Sequence, residues 1–241
     1  MSHQCHDEHV HGHGDGHGGH GHSHQHEAAP IPTSTSQSLN SKINTANLEA
    51  FNLANPQTDL AELFKSHDKR YELIPVIKSD ADNQLIIKIP FAGVTTKLYS
   101  VILRTSKLGD HCPKAVKFYK NQDNLDFDSI GSQKPTYVVE HPEIGVEDGE
   151  GDELTELVDD NTFAEHFLPR HLFSAVNTLT IFFENNWTDD DDEVLHLYSI
   201  EIRGEFKELT KDPIITLYES AANPADHKNM LPEETKNFHN V

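Results

Sequence analysis

Cysteine is scarce: Cys5 and Cys112 are the only two in 241 residues, and they lie in unlike surroundings. That excludes a disulfide framework or a site of several thiolates, and the absence of a C-x-x-C pair removes the basis for dithiol redox chemistry. No stretch of 18 apolar residues occurs and the chain does not open on an apolar run, so neither a membrane span nor export through a signal peptide is expected; the expected compartments are cytoplasm and nucleus. Basic residues are also few. With 19 Lys and Arg against 40 Asp and Glu, the formal net charge is -21, and no basic cluster offers a surface to a phosphate backbone, so no nucleic-acid partner is expected. The histidines are dispersed, Cys112 stands in LGDHCP outside any nucleophile motif, and no set of nucleophile, base and orienting group can be read, which argues against an enzyme.

What the chain does contain is short alternating apolar runs. In VLHLYSIEIRGEFKEL, Tyr198, Ile200 and Ile202 share one side while Ser199, Glu201 and Arg203 share the other, which predicts a strand with one face in a core. Leu179, Ile181 and Phe183 repeat the pattern upstream, and NNWTDDDD between them reads as a charged loop; its Asn186-Trp187-Thr188 matches a glycosylation acceptor whose use is not expected without export. Residues 71–76, Leu85 to Phe91, the doubly apolar LYSVIL of residues 98–103, Val116 with Phe118, Tyr137 with Val139, and Ile215 with Leu217 supply further strands, Pro90 ending its own or marking an edge. Two strands cannot bury their apolar faces alone, so these must form a sandwich or barrel, with Leu85, Ile87, Ile89, Ile102, Phe118, Ile181, Ile200, Ile202 and Leu217 feeding one core. Cys112 is expected to be a packed or partly exposed, inert thiol.

The flanks differ in kind. Residues 1–41 read as a His/Gly-rich tail and linker too polar to build a core. Within the tail His9, His11, His13, His20, His22, His24 and His26 recur at spacings of two, so neutral imidazoles are available to Zn(II), Ni(II) or Cu(II), as a useful binder or with incidental affinity; the folded domain is expected to require no metal. Short helical pieces are predicted between Asn47 and Phe64, with Asp59 as a cap before Leu60, Leu63 and Phe64 and Pro56 preventing a longer helix. Residues 143–160 hold nine acids and no Lys or Arg, which predicts a projecting solvated loop with room for a short helix at DELTELV. A short helix or irregular packing segment is expected over 163–173, and the end, from 231 to 241, reads as a second tail.

Several ordered motifs together resemble one family. Ser79-Asp80-Ala81-Asp82, then Leu85-Ile86-Ile87-Lys88-Ile89-Pro90-Phe91, Lys117-Phe118-Tyr119-Lys120-Asn121, Ile202-Arg203-Gly204-Glu205-Phe206, and Asn223-Pro224-Ala225-Asp226-His227 after Tyr218-Glu219 look like the PITH domain, over roughly residues 42–230. The resemblance implies an all-β jelly-roll sandwich similar to galactose-binding domains, with short peripheral helices, and a non-enzymatic module that associates with the proteasome regulatory particle. A relative of this family is the C-terminal half of a thioredoxin-like protein; the chain here has no redox cysteine pair, so reductase activity does not carry over. Arg203, Glu205, Phe206, Asn223, Asp226 and His227 are the candidate partner-binding residues, and a monomer is expected when the protein is free. A carbohydrate-binding module and a thiol redox enzyme are the competing readings.

Overall fold

The computed structural model describes residues 30–92, 95–147 and 155–207. Its strands are β1 (Glu49–Phe51), β2 (Ile77–Lys78), β3 (Leu85–Pro90), β4 (Thr95–Thr105), β5 (Ala115–Lys120), β6 (Tyr137–Glu140), β7 (Phe163–Phe167), β8 (Thr178–Phe183) and β9 (His196–Lys207). They make two antiparallel sheets, ordered β1-β3-β8-β5-β6 and β2-β9-β4-β7. The chain alternates between the sheets so that β2 pairs with β9, β3 with β8, β4 with β7 and β5 with β6, as in one long hairpin folded over on itself. One helical turn, α1 (Phe127–Ile130), and several 3-10 turns lie at the periphery.

The core lies between the sheets. Leu85, Ile87 and Ile89 of β3, Phe118 of β5, Ile181 of β8 and Ile200 and Ile202 of β9 all enter it, as their period of two requires. Each such side chain removes enough apolar surface from water to contribute roughly 1.5–3 kcal/mol. Pro90 ends β3, which is an interior strand, and LYSVIL falls in the interior strand β4, buried on both faces. Leu60 and Leu63, on a 3-10 turn at Gln57–Leu63 that follows Pro56, close one side of the core.

Strict alternation fails where the two longest strands pair. The register of β4 with β9 slips between Leu98 and Ser100 and again between Arg104 and Thr105, so each strand carries one bulged residue, Tyr99 and Tyr198. A bulge reverses the facing of everything beyond it. Leu197 therefore joins Ile200 and Ile202 in the core, while Tyr198 packs outside with Leu73 and Val146, contrary to the expectation that it shares their face. Likewise Leu98, Val101 and Leu103 point inward, and Ile102 is buried on the opposite side, facing Phe163 and Arg203 rather than the common core.

Other expectations change for local reasons. Residues 71–76 do not form a strand; only Ile77–Lys78 pairs with β9, after Pro75, which has no N–H to donate. Residues 163–167 are a strand, not a helix, because pairing with β4 satisfies their backbone. The acidic run is anchored at both described ends: Val146 is buried beside Ser106, and Leu157 donates to Tyr71 O at 3.0 Å. Residues 155–158 are not helical. In the loop 184–195, Asn186 is wholly buried, donating to Asp110 O and Asp190 O, although its neighbours Asp189 to Asp192 are exposed. Leu39, in the segment composition assigns to a linker, lies in the core and donates its N–H to Ile202 O at 2.7 Å. Leu217 and Ile215 lie outside the described residues.

Candidate functional site

Charge collects on the outer face of the four-stranded sheet. There β4 presents Ile102, β9 presents Glu201 and Arg203, and β7 presents Phe163 and Glu165; with Arg70 and Asp160 from flanking loops they line a cleft of about 220 Å³. Ile102 and Phe163 give it an apolar floor. Arg203 is mostly buried, its Nε 2.8 Å from Glu201 Oε1 and its Nη1 3.9 Å from Glu165 Oε1. Ser100 Oγ donates to the same Glu165 oxygen at 2.6 Å, and Thr33 donates to it as well, which ties the incoming chain to the cleft wall. Arg70 donates to Asp160 and Tyr71 and stacks on the Tyr71 ring, 4.5 Å from its centroid. Each guanidinium is thus committed to at least one carboxylate.

Beneath this surface two cations are buried. Arg104, fully enclosed, donates through Nε to Thr162 Oγ1 (2.9 Å), Nη1 to Arg70 O (3.2 Å) and Nη2 to Leu157 O (2.7 Å), and packs 4.6 Å from the Phe163 centroid. Those bonds hold the end of the acidic run against the sheet. Burial lowers its pKa, with Asp159 opposing, and a guanidinium stays charged regardless. Lys65 donates Nζ to the carbonyl of the bulged Tyr198, and burial lowers its pKa to about 8 against the opposing pull of Glu72.

A second polar cluster joins β4, the loop after β6, and β7. Thr105 Oγ1 lies 3.0 Å from His141 Nε2, and His141 Nδ1 lies 2.8 Å from His166 Nε2. Burial pushes His141 down to about 3, with the neighbouring His166 adding to the effect, and His166 to about 4. Trp187 Nε1 donates to the His141 carbonyl at 3.0 Å. Cys112 is enclosed nearby, Sγ 3.7 Å from Pro113 O and Pro142 O; a thiolate there would be desolvated among carbonyl oxygens, which disfavours its formation.

The sequence candidates separate in space. Arg203 lines the cleft; Glu205 is exposed further along β9, 3.9 Å from Lys97 Nζ; Phe206 turns to the opposite face, against the core, with Lys42 Nζ 5.0 Å from its ring centroid. Asn223, Asp226 and His227 lie outside the described residues, as do His9, His11, His13, His20, His22, His24 and His26. Several motif residues serve the fold. A Cβ on Gly204 would lie 2.0 Å from Lys97 O, so β4 and β9 could not approach as they do. Asn121, at φ 53°, accepts from the N–H groups of Asn177 and Thr178 and donates to Ala175 O. Ser79 donates to Asp82 O and accepts from Leu195 N, fixing the turn before β3. Reading by sequence misses Arg70, Arg104, His141, Asp160, Glu165 and His166, since residues from distant segments meet only in the folded sheet. The one local signal is a charged or imidazole side chain inside an apolar run, at Arg104 and His166.

An all-β sandwich with a shallow, ion-paired cleft on one sheet and its lone described thiol sealed inside defines a surface for contact, and comparison assigns the family. The PITH domain profile matches residues 29–222, and the chain belongs to the PITH domain family, whose members are non-catalytic modules. It is 33% identical over 195 residues to a PITH domain-containing protein of Drosophila melanogaster, covering 79% of this chain and 81% of that one. A PITH domain-containing protein of Schizosaccharomyces pombe is 31% identical over 172 residues, covering 71% and 75%, and PITH domain-containing protein 1 of Homo sapiens is 30% identical over 168 residues, covering 69% of each. Among solved structures, the family 32 carbohydrate-binding module of Clostridium perfringens NanJ in complex with galactose aligns with a TM-score of 0.44 at 6% identity, over 69% of this chain and 97% of that one.

Proposed function

We propose that this protein-interaction module associates with the proteasome regulatory particle, through the outer face of its four-stranded sheet. Membership of the PITH family over most of the chain is the observation that carries the reading. The geometry agrees in kind: an open cleft with paired charges around Ile102 and Phe163 suits a protein surface, where apolar contact is framed by charges that select the partner. The strand pairing β2·β9, β3·β8, β4·β7 and β5·β6 supports a jelly-roll topology for the sandwich. Action as a monomer in cytoplasm and nucleus follows from the same reading. Among the described residues no helix is long and apolar enough to cross a membrane.

Copurification of the full-length protein with intact proteasomes at moderate ionic strength tests the association. Retention that is lost in Glu201→Lys supports both partner and surface; no retention of wild type, where an established regulatory-particle subunit is retained, overturns the assignment.

Transition-metal binding is assigned to the histidines of the tail. Imidazoles at spacings of two bind Zn(II) or Ni(II) in competition with protons near pH 6.5. Calorimetric titration at about pH 7.5 and pH 5.5 is expected to show binding only at the higher pH and only when residues 1–27 are present; equal binding after their removal moves the site into the domain.

A further inference from the structure

We propose that the partner is gripped at the edge of β7, where an extended segment of it adds to the four-stranded sheet as a fifth, antiparallel strand, with Lys or Arg opposite Glu165 and an apolar residue opposite Phe167. This rests on the reading of the chain as a protein-interaction module and holds whichever assembly supplies the segment. Strand pairing decides which main-chain groups are available. Leu168 donates its N–H to Tyr99 O at 2.8 Å, in the register of β7 with β4, so Ala164 and His166 make the ladder bonds to Leu103 and Val101. The groups of Phe163, Glu165 and Phe167 therefore point away from β4. The Phe163 N–H is taken by Asp160 O in the turn before the strand. The N–H groups of Glu165 and Phe167 and the carbonyls of all three have no partner among the described residues. At the opposite edge of the sheet the corresponding groups are met: Leu39 donates to Ile202 O, Asn40 bonds Ile202 N–H and Ile200 O, and Asn55 accepts from Lys78 N–H. Nor does β7 carry the usual defences of an open edge, since Phe-Ala-Glu-His-Phe holds no proline or lysine and pairs with β4 without a bulge.

The side chains set the incoming sequence. Ala164 and His166 are buried, so Phe163, Glu165 and Phe167 make the outer row, and residues directly across an antiparallel pair touch. Glu165 commits only Oε1, which accepts from Ser100 and Thr33 and lies 3.9 Å from Arg203 Nη1; its Oε2 has no partner among the described residues. Asp160 likewise bonds Arg70 and Tyr71 through Oδ1 alone. With Glu201, the cleft beside β7 sets three carboxylates against the guanidinium groups of Arg70 and Arg203. The excess is negative, and a cation on the added strand matches it. Phe167 is half-buried and packs in none of the hydrophobic clusters of the described residues, which leaves it to an apolar neighbour. The Phe163 ring already packs against Arg104 and Arg70, 4.6 and 5.5 Å from its centroid, so the backbone, Glu165 and Phe167 carry the contact.

The test uses the full chain and the acetylated, amidated peptide Thr-Val-Thr-Arg-Thr-Thr, with backbone amide resonances as the readout. Titration to about 5 mM peptide is expected to produce saturating shifts confined to residues 163–167 and the adjoining cleft, and to slow exchange of the Glu165 and Phe167 amides at least tenfold. Replacing Arg by Glu in the peptide is expected to weaken binding about tenfold. N-methylation of its Val and Arg, which removes the donors aimed at β7, is expected to abolish it. Glu165→Gln keeps the shape of the side chain and is expected to narrow the preference for the Arg peptide over the Glu peptide. No shift over that range, equal binding of the N-methylated peptide, or shifts centred on β6 overturn the proposal. So do Glu165 and Phe167 amides as protected in the free protein as those of β4, since the chain then covers its own edge. Retention on proteasomes is a separate readout: its loss with peptide binding intact removes that assembly and keeps the edge, and retention without peptide binding does the reverse.

Discussion

His141 Nδ1 lies 2.8 Å from His166 Nε2 inside the sandwich, with Thr105 Oγ1 3.0 Å from the other nitrogen of His141. Only one hydrogen fits between the two facing nitrogens, so both rings cannot be charged in place. Burial holds His141 at about 3 and His166 at about 4, below the value of about 6.5 that each regains on unfolding. Between those limits the unfolded chain binds more protons than the folded one, so stability rises with pH. The contribution is fully present above about pH 6.5 and is lost as pH falls towards 4 and then 3. Urea unfolding midpoints measured from about pH 7.5 down to 4.5 are expected to fall steadily, and less steeply in His166→Gln. A flat profile in wild type contradicts the buried neutral pair.

Ile200 is almost wholly buried in the core between the sheets. Ile200→Asp removes its apolar contacts and puts an unpaired carboxylate in their place, a loss of about 4 kcal/mol or more. Thermal unfolding measures it, and an unchanged midpoint removes Ile200 from the core.

Two glycines make a matched pair. Gly204→Ala drives a methyl group into the Lys97 carbonyl and is expected to cost roughly 3 kcal/mol through separation of β4 from β9. Gly131→Ala meets nothing within 4 Å, at a helical φ of -63°, and is expected to be neutral or to stabilise by about 0.5 kcal/mol. Denaturant unfolding of the two variants compares them directly; equal effects refute the close approach.

Arg104→Met keeps the apolar bulk but leaves Thr162, Arg70 O and Leu157 O without their donor. Detachment of the segment at Leu157 is the expected outcome, with a stability loss of roughly 3 kcal/mol. Hydrogen exchange at the amides of Leu73 and Leu157, which bond to Thr155 O and Tyr71 O, is expected to accelerate at least tenfold while core amides change less. Uniform acceleration throughout the domain shows global destabilisation instead.

The alternation of Leu85, Ile87 and Ile89, of Leu179, Ile181 and Phe183, and of Ile200 and Ile202 made strands and a core legible, because a period of two is written in neighbouring residues. The facing of Tyr198 and Ile102 was not legible: each depends on a bulge, and a bulge arises from the register between two strands. Residues 163–167 became a strand for a related reason, since β4 offers them an unoccupied edge.

By itself the sequence determined an all-β chain, its acidity, its lack of a redox pair and the histidine content of its first segment, since composition and local spacing suffice for each. Only the tertiary structure decided that Thr33, Arg70, Ile102, Asp160, Glu165, Glu201 and Arg203 face one cleft and that His141 meets His166. These groups are separated by up to 170 positions and come together through nonlocal strand pairing, whose register depends on packing across the whole sandwich.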